Sequence, residues 1–392
     1  MHETLTHIRH SHKIIPLFIA NFFIALHYIL VIYINSSFLK EFLSARSISA
    51  LYTCGAILSF ILFIFAPKLV KKVSNFKFLI SIFAIEAFAL LTMAFTSSVL
   101  IVVLGFLLYF ITVYAIFYSM DVFLETAIKK EHHTGILRAV YLTIANLGII
   151  LGPSLLTFLA HDGDYTRVYI AAALSLLPAG LLAYTYFEKI GEPKISHFNL
   201  RQTISDLRKR KNVRRIIFVN FILQFFFAWM VIYTPIYLHE NIGIPWKELG
   251  FVLSFMLLPF VLFQLPAGEL ADRFWGEKEL LVGGVVIMLL STAFIPFLTT
   301  SLAIIWAITL FITRIGASIV EISSDTYFFR QVTGDDANLI SAYRAVIPLA
   351  LILAPIVFSL TSYFLNLRNS YFILALAISI ALVPLIRIRD TK

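Results

Sequence analysis

Charge, cysteine and polar stretches are all scarce in this chain of 392 residues. Asp, Glu, Lys and Arg make up 14% of it, against about 25% in an ordinary soluble protein. Its single cysteine, Cys54, lies in an apolar run, so an intramolecular disulfide and a cysteine-rich metal site are both excluded. The sequence has no phosphate loop ending in Gly-Lys-Ser/Thr and no His-Glu-x-x-His zinc helix. ATP hydrolysis, a bound metal and a cofactor are therefore not expected. No nucleophile stands at a recognisable spacing from a base, and no polar stretch is long enough to fold alone. An enzyme is not expected either.

What is present is apolar: 60% of residues are hydrophobic, 38 of them Phe. A helix needs about 20 apolar residues to cross the hydrocarbon of a bilayer. Twelve segments meet that requirement, at 14–34, 48–66, 76–95, 98–120 with a polar tail to 127, 136–160, 168–187, 213–238, 249–266, 279–298, 302–325, 339–363 and 370–386. The expected class is an all-α, multi-pass membrane protein. The first span is read as retained, because the residues after it look like a loop and not like a cleavage site.

Placing both termini in the cytoplasm puts 25 of the 31 Lys and Arg in cytoplasmic segments. Only Lys40, Arg46, Arg167, Lys247 and Arg368 fall on the other side, and Arg314 lies inside a span. Cytoplasmic loops carry such an excess, so the net charge of +9 sets topology, and nucleic acid is not an expected partner. Short loops fit a prokaryotic inner membrane. Asn35-Ser36-Ser37 is a formal glycosylation sequon in an outer loop, a pattern that also arises by chance.

Internal repeats decide architecture in membrane transporters. NFFIALHYILVIYI from Asn21 is similar to NFILQFFFAWMVIYT from Asn220. The loop from Ala66 matches one from Ala267, Asp121 to Glu125 matches Glu321 to Asp325, and Arg138-Ala-Val matches Arg344-Ala-Val. The period of about 200 residues divides the chain into a six-helix bundle at 1–190, a cytoplasmic linker at 191–212 and a second six-helix bundle at 213–392. In the basic stretch around the linker, Phe198, Ile204 and Leu207 have near-helical spacing. That segment either lies on the lipid surface or is solvated.

The stretch LPAGELADRFWGEKELL from Leu265 resembles the loop between spans of the major facilitator superfamily. Gly268, Leu270, Ala271, Asp272, Arg273 and Gly276 match, while Glu277 stands where a basic residue is usual. The first copy has decayed, with Pro67 and Lys71 in place of Gly and Asp. The resemblance implies a 6+6 pseudo-symmetric fold in which spans one, four, seven and ten line a cavity, and in which Asp272 and Arg273 latch one access state. Asn146-Leu-Gly148-Ile-Ile-Leu-Gly152-Pro153 is similar to an element of the family's antiporters. Its trailing glycine pair is replaced by Ser154, Leu155, Leu156 and Thr157, so simple helix packing by Gly148, Gly152 and Pro153 is the other reading.

Ionisable residues inside a membrane are costly and usually face a partner or an aqueous path. Arg314 is near the middle of span ten, and its candidate partners are Glu321, Asp121 and a substrate anion. Glu125 with Arg138, and Asp325 with Arg344, read as a gating pair in each half. Glu86 in span three is either a proton carrier or a neutral hydrogen-bonded acid. His27 on span one either titrates or packs neutral. Asn21, Tyr28, Asn220, Gln224, Trp229 and Tyr233 supply polar and aromatic groups on the two spans expected to line the cavity, or else fill the core.

The expectation is a gradient-driven transporter of a small organic solute, proton-coupled, acting by efflux. Proton-coupled uptake of an organic anion or nutrient is the alternative, and a sensor or scaffold that does not transport is the third reading. The expected partners are a small-molecule substrate, protons or another coupling ion, and membrane lipid. The expected state is a monomer.

Overall fold

The computed structural model describes residues 14–128, 134–159, 165–192, 200–273 and 275–389. Twelve of its helices are long and apolar enough to cross a membrane: Ile14–Lys40, Ala50–Val73, Asn75–Phe95, Val99–Ile128, Gly135–Gly152, Thr166–Ile190, Lys211–Asn241, Glu248–Ala271, Glu277–Phe297, Ala303–Phe329, Ala337–Ser362 and Ser370–Arg387. They are called spans one to twelve below. No strand occurs among the described residues. Each expected span is present, and several run past their apolar stretch.

Local chemistry sets the ends. Ser44 caps the helix Ala45–Val73, its hydroxyl accepting from Ser47 N–H. Ser74 closes that helix and opens the next. It has φ 75°, its N–H donates to Val70, and its hydroxyl accepts from Lys77 N–H. The Glu192 carboxylate accepts from Asn75 N–H at 2.7 Å and Phe76 N–H at 3.3 Å. A negative charge is thus held at the positive end of span three.

Proline breaks two spans. Pro348 cannot donate to the Arg344 carbonyl, and span eleven divides there into Ala337–Arg344 and Val346–Ser362. Pro259 has the same relation to Phe255, and span eight divides into Trp246–Phe255, Leu258–Leu262 and Gln264–Arg273. Linker residues Leu200–Lys209 form a short helix on which Ile204 is exposed. Phe198 lies outside the described residues. Asn35 is buried and accepts a hydrogen bond from the Tyr169 hydroxyl at 3.0 Å. Its amide is engaged inside the protein, which speaks against the sequon reading.

The chain forms two compact units. One comprises Met1–Glu131, Ile144–Ile204 and Val332–Pro348, the other His132–Thr143, Ser205–Gln331 and Leu349–Lys392. Each contains a short piece of the opposite sequence half, the start of span eleven in the first and the start of span five in the second. In the first unit, span three packs on span four and span one on span six. In the second, spans nine and ten cross where a Cβ on Gly316 would stand 2.6 Å from the Gly284 carbonyl oxygen. Only glycine permits that approach.

Candidate functional site

The start of span eleven is tied to spans two and four. Tyr118 donates to the Ala337 carbonyl at 3.3 Å, and Ser341 donates to the Phe63 carbonyl. This places Arg344 beside Asp121 on span four. Nε and Nη2 donate to the two carboxylate oxygens, the second at 3.1 Å. The Asp121 side chain is 2% exposed and that of Arg344 14%. Such a bidentate, charge-assisted pair has defined geometry as well as attraction.

A second arginine stands near a carboxylate in the other unit. A Cβ on Gly268 would stand 2.6 Å from Ala139 Cβ and 2.9 Å from the Gly135 carbonyl oxygen, so the glycine of the Leu265 motif lets the start of span five lie against span eight. Ala139, Ala267 and Ile322 pack together at that contact. Arg138 is thereby carried to span ten. Its Nη1 is 3.9 Å from Asp325 Oδ2, and its guanidinium lies 3.3 Å over the Phe329 ring, a cation–π arrangement.

The expected pairs are Glu125 with Arg138 and Asp325 with Arg344; the contacts described among these residues are Arg138 with Asp325 and Arg344 with Asp121. Both arginines reach a carboxylate of the opposite sequence half, because each helix start packs with that half's spans. Glu125 is buried at the end of span four. The backbone of Asp272 and Arg273 ends the last helical piece of span eight, but their side chains lie outside the described residues. Glu277, at the usually basic position, is buried and ion-paired with Arg330, just after span ten. Sequence reasoning noticed the reversed charge but missed this partner.

In span ten, Arg314 is 2% exposed, and its guanidinium carbon lies 5.0 and 5.5 Å from the rings of Phe226 and Phe227 on span seven. Glu321 accepts from Gln264 Nε2 at 2.6 Å, a contact the sequence did not signal. Asn21 and Asn220, repeat-related positions, are both buried, and Gln224 donates to Asn220 at 3.3 Å. Tyr28 meets Phe117 edge-on at 5.6 Å. Trp229 is fully buried between Phe225, Tyr233 and Phe358, with its indole N–H making no hydrogen bond among the described residues.

The span-five glycines pack against span one. A Cβ on Gly148 would be 2.7 Å from the Phe22 carbonyl oxygen, and one on Gly152 would be 2.3 Å from Ile29 Cγ2. This is the close helix contact that small residues allow. Pro153 falls in the same helix, its ring outside the described residues.

His27 and Glu86, treated separately in the sequence, meet. His27 Nε2 is 2.7 Å from Glu86 Oε1, and both side chains are 0% exposed. Thr112 on span four contacts Glu86 Oε2, and His27 Nδ1 is 3.3 Å from the Ala172 carbonyl on span six.

Twelve apolar helices with Arg–Asp pairs buried inside them define a multi-pass membrane protein. The sequence profile of the Major Facilitator Superfamily matches residues 17–259 and 216–392, and the chain belongs to that superfamily. No curated protein sequence matches it significantly. Solved structures do. The human organic anion transporter MFSD10 (TETRAN) aligns with TM-score 0.78 and 13% identity over 95% of this chain and 98% of its own. The E. coli fucose:proton symporter FucP aligns with TM-score 0.74 and 14% identity over 96% and 98%. A bacterial homologue of the iron transporter ferroportin aligns with TM-score 0.76 and 13% identity over 96% and 99%. At such identities the likeness is one of fold.

Proposed function

We propose that this protein is a secondary active transporter that moves a small organic solute by alternating access, driven by protons and working in the direction of export. The supporting observation is the set of buried ionisable groups on spans one, three, four and ten, where apolar side chains would cost less. Arg314, Asn21, Asn220, Gln224, Tyr28 and Trp229 are proposed to contact the solute, with Glu321 as a coupling carboxylate. Arg344–Asp121 and Arg138–Asp325 are the latches, formed in one access state and broken in the other, and Gly268, Asp272, Arg273 and Glu125 belong to the same gating step. The reading includes a monomer in a prokaryotic inner membrane with both termini cytoplasmic.

Export rests on the likeness of Asn146 to Pro153 to the antiporter element, since the glycine contact between spans five and one is equally what simple helix packing requires. A second reading, uptake of an organic anion, is favoured by Arg314, because a buried cation beside two phenyl rings suits an aromatic or aliphatic anion. A thermal-shift screen of the purified protein against lipophilic cations, organic anions, sugars and nucleosides separates the solute classes of the two readings, and flux in proteoliposomes then gives the direction. A ligand at 100 times its Kd adds about 2.7 kcal/mol. If anions stabilise and Arg314→Ala abolishes the shift, the anion reading holds. If lipophilic cations stabilise and Arg314→Ala keeps the shift, the solute is such a compound.

A further inference from the structure

The His27–Glu86 contact permits an accounting of hydrogens. A carbonyl oxygen only accepts, so the bond to Ala172 places a hydrogen on His27 Nδ1. Nε2 therefore has no hydrogen of its own unless the ring is charged. At 2.7 Å from Glu86 Oε1, its lone pair would face a carboxylate lone pair if no proton lay between them. The pair thus holds at least one proton, and with one it is neutral.

The other carboxylate oxygen has room for a second. Thr112 has a single hydroxyl hydrogen and stands against both Glu86 Oε2 and, at 2.7 Å, its own Leu108 carbonyl. With one proton in the pair, Thr112 donates to Oε2. With two, Oε2 carries a hydrogen and donates to Thr112, which turns its own hydrogen to Leu108. Every polar atom is satisfied either way, and only the net charge differs.

The surroundings do not compensate that charge. The nearby titratable groups are phenols: Tyr109, whose ring is 6.3 Å from that of His27, with Tyr28, Tyr52 and Tyr114 around it. Charged side chains on the packed helices lie toward their ends: Lys40 on span one, Lys77 on span three, Asp121 and Glu125 on span four, and Arg167, Glu188 and Lys189 on span six. An uncompensated charge in a site that is 0% exposed is costly. A second proton therefore binds best when the packing of spans one, three, four and six loosens and admits water, and by linkage its binding favours that looser state.

We propose that His27 and Glu86 form a proton-binding site of the N-terminal half, neutral with one proton as packed here and cationic with two, whose second proton links acidity to movement of spans one and four. The linkage to movement rests on the transporter reading; the proton site does not.

The test is infrared difference spectroscopy of the full-length protein in liposomes between about pH 5 and about pH 8. The expected result is a carboxylic-acid band that changes with pH in the wild type and is lost in Glu86→Gln. In His27→Gln the band should be present at both pH values, because the imidazole that shares the proton with Glu86 is gone. A pH-dependent band unchanged in both variants, or none in the wild type, overturns the site. If Glu86→Gln does not fold, as judged by its thermal transition, the wild type and His27→Gln decide alone.

Proton movement into dye-loaded proteoliposomes, on adding each solute class, is read alongside. If Glu86→Gln loses the band but keeps wild-type proton movement, the link to transport is overturned. If the band titrates while no solute moves protons in the wild type, the site stands and the proton-coupled reading fails.

Discussion

Arg344 and Asp121 lie 223 positions apart and share two hydrogen bonds between their charged groups. Losing either partner strands a buried charge, which typically costs about 2–5 kcal/mol. Asp121→Asn and Arg344→Ala should each lower the thermal midpoint and reduce transport at least tenfold. Exchanging the two residues should recover part of both. Independent, additive losses in the double variant would contradict the pairing.

Arg138→Lys keeps the charge near Asp325 but gives up the planar stack on Phe329. A lysine cannot replace a stacked guanidinium, so transport should fall while Arg138→Ala falls further. Equal activity of the lysine variant and the wild type, measured as initial uptake rates, would assign Arg138 to simple charge pairing.

Gly268→Ala places a methyl group 2.6 Å from Ala139 Cβ. Overpacking of this kind costs about 1–3 kcal/mol, and it acts where span five meets span eight. The variant should therefore shift the balance of access states, read as altered labelling of cysteines introduced at the two membrane faces. Gly148→Ala, whose methyl group would meet the Phe22 carbonyl oxygen at 2.7 Å, should lower the thermal midpoint instead. If Gly268→Ala left the labelling pattern untouched, the motif would be a packing contact only.

The twelve spans were legible because each apolar run exceeds the bilayer requirement by itself and needs no partner to be recognised. The ends were not, since Ser74 and Pro348 act through backbone hydrogen bonds beyond the apolar stretches. Within the candidate site, Gly268 announced a close approach through its motif. The repeat aligned Arg138 with Arg344 and Asp121 with Glu321, but alignment cannot say which helix start packs on which span. That is why the Arg344–Asp121 and Arg138–Asp325 contacts were not foreseen. His27 and Glu86 are 59 positions apart, and each has a bland explanation alone. Only the packing of spans one, three and four makes them a pair.

Arg314 is buried beside Phe226 and Phe227 and is proposed to contact the solute. Arg314→Ala should abolish ligand-induced stabilisation in the anion reading, and Arg314→Lys should weaken it, because the guanidinium plane is lost. Isothermal calorimetry with the stabilising ligand checks this. An unchanged Kd in Arg314→Lys would remove any directional role for the guanidinium.

The central claim is gradient-driven movement of a solute. Its most direct test is purified protein in proteoliposomes with an imposed pH gradient, presented in turn with organic anions, lipophilic cations, sugars and nucleosides. The account predicts that at least one class accumulates against its own gradient, that protons move with or against it, and that Asp121→Asn loses both. Ligand binding without any flux, in every class and with either gradient, would contradict it.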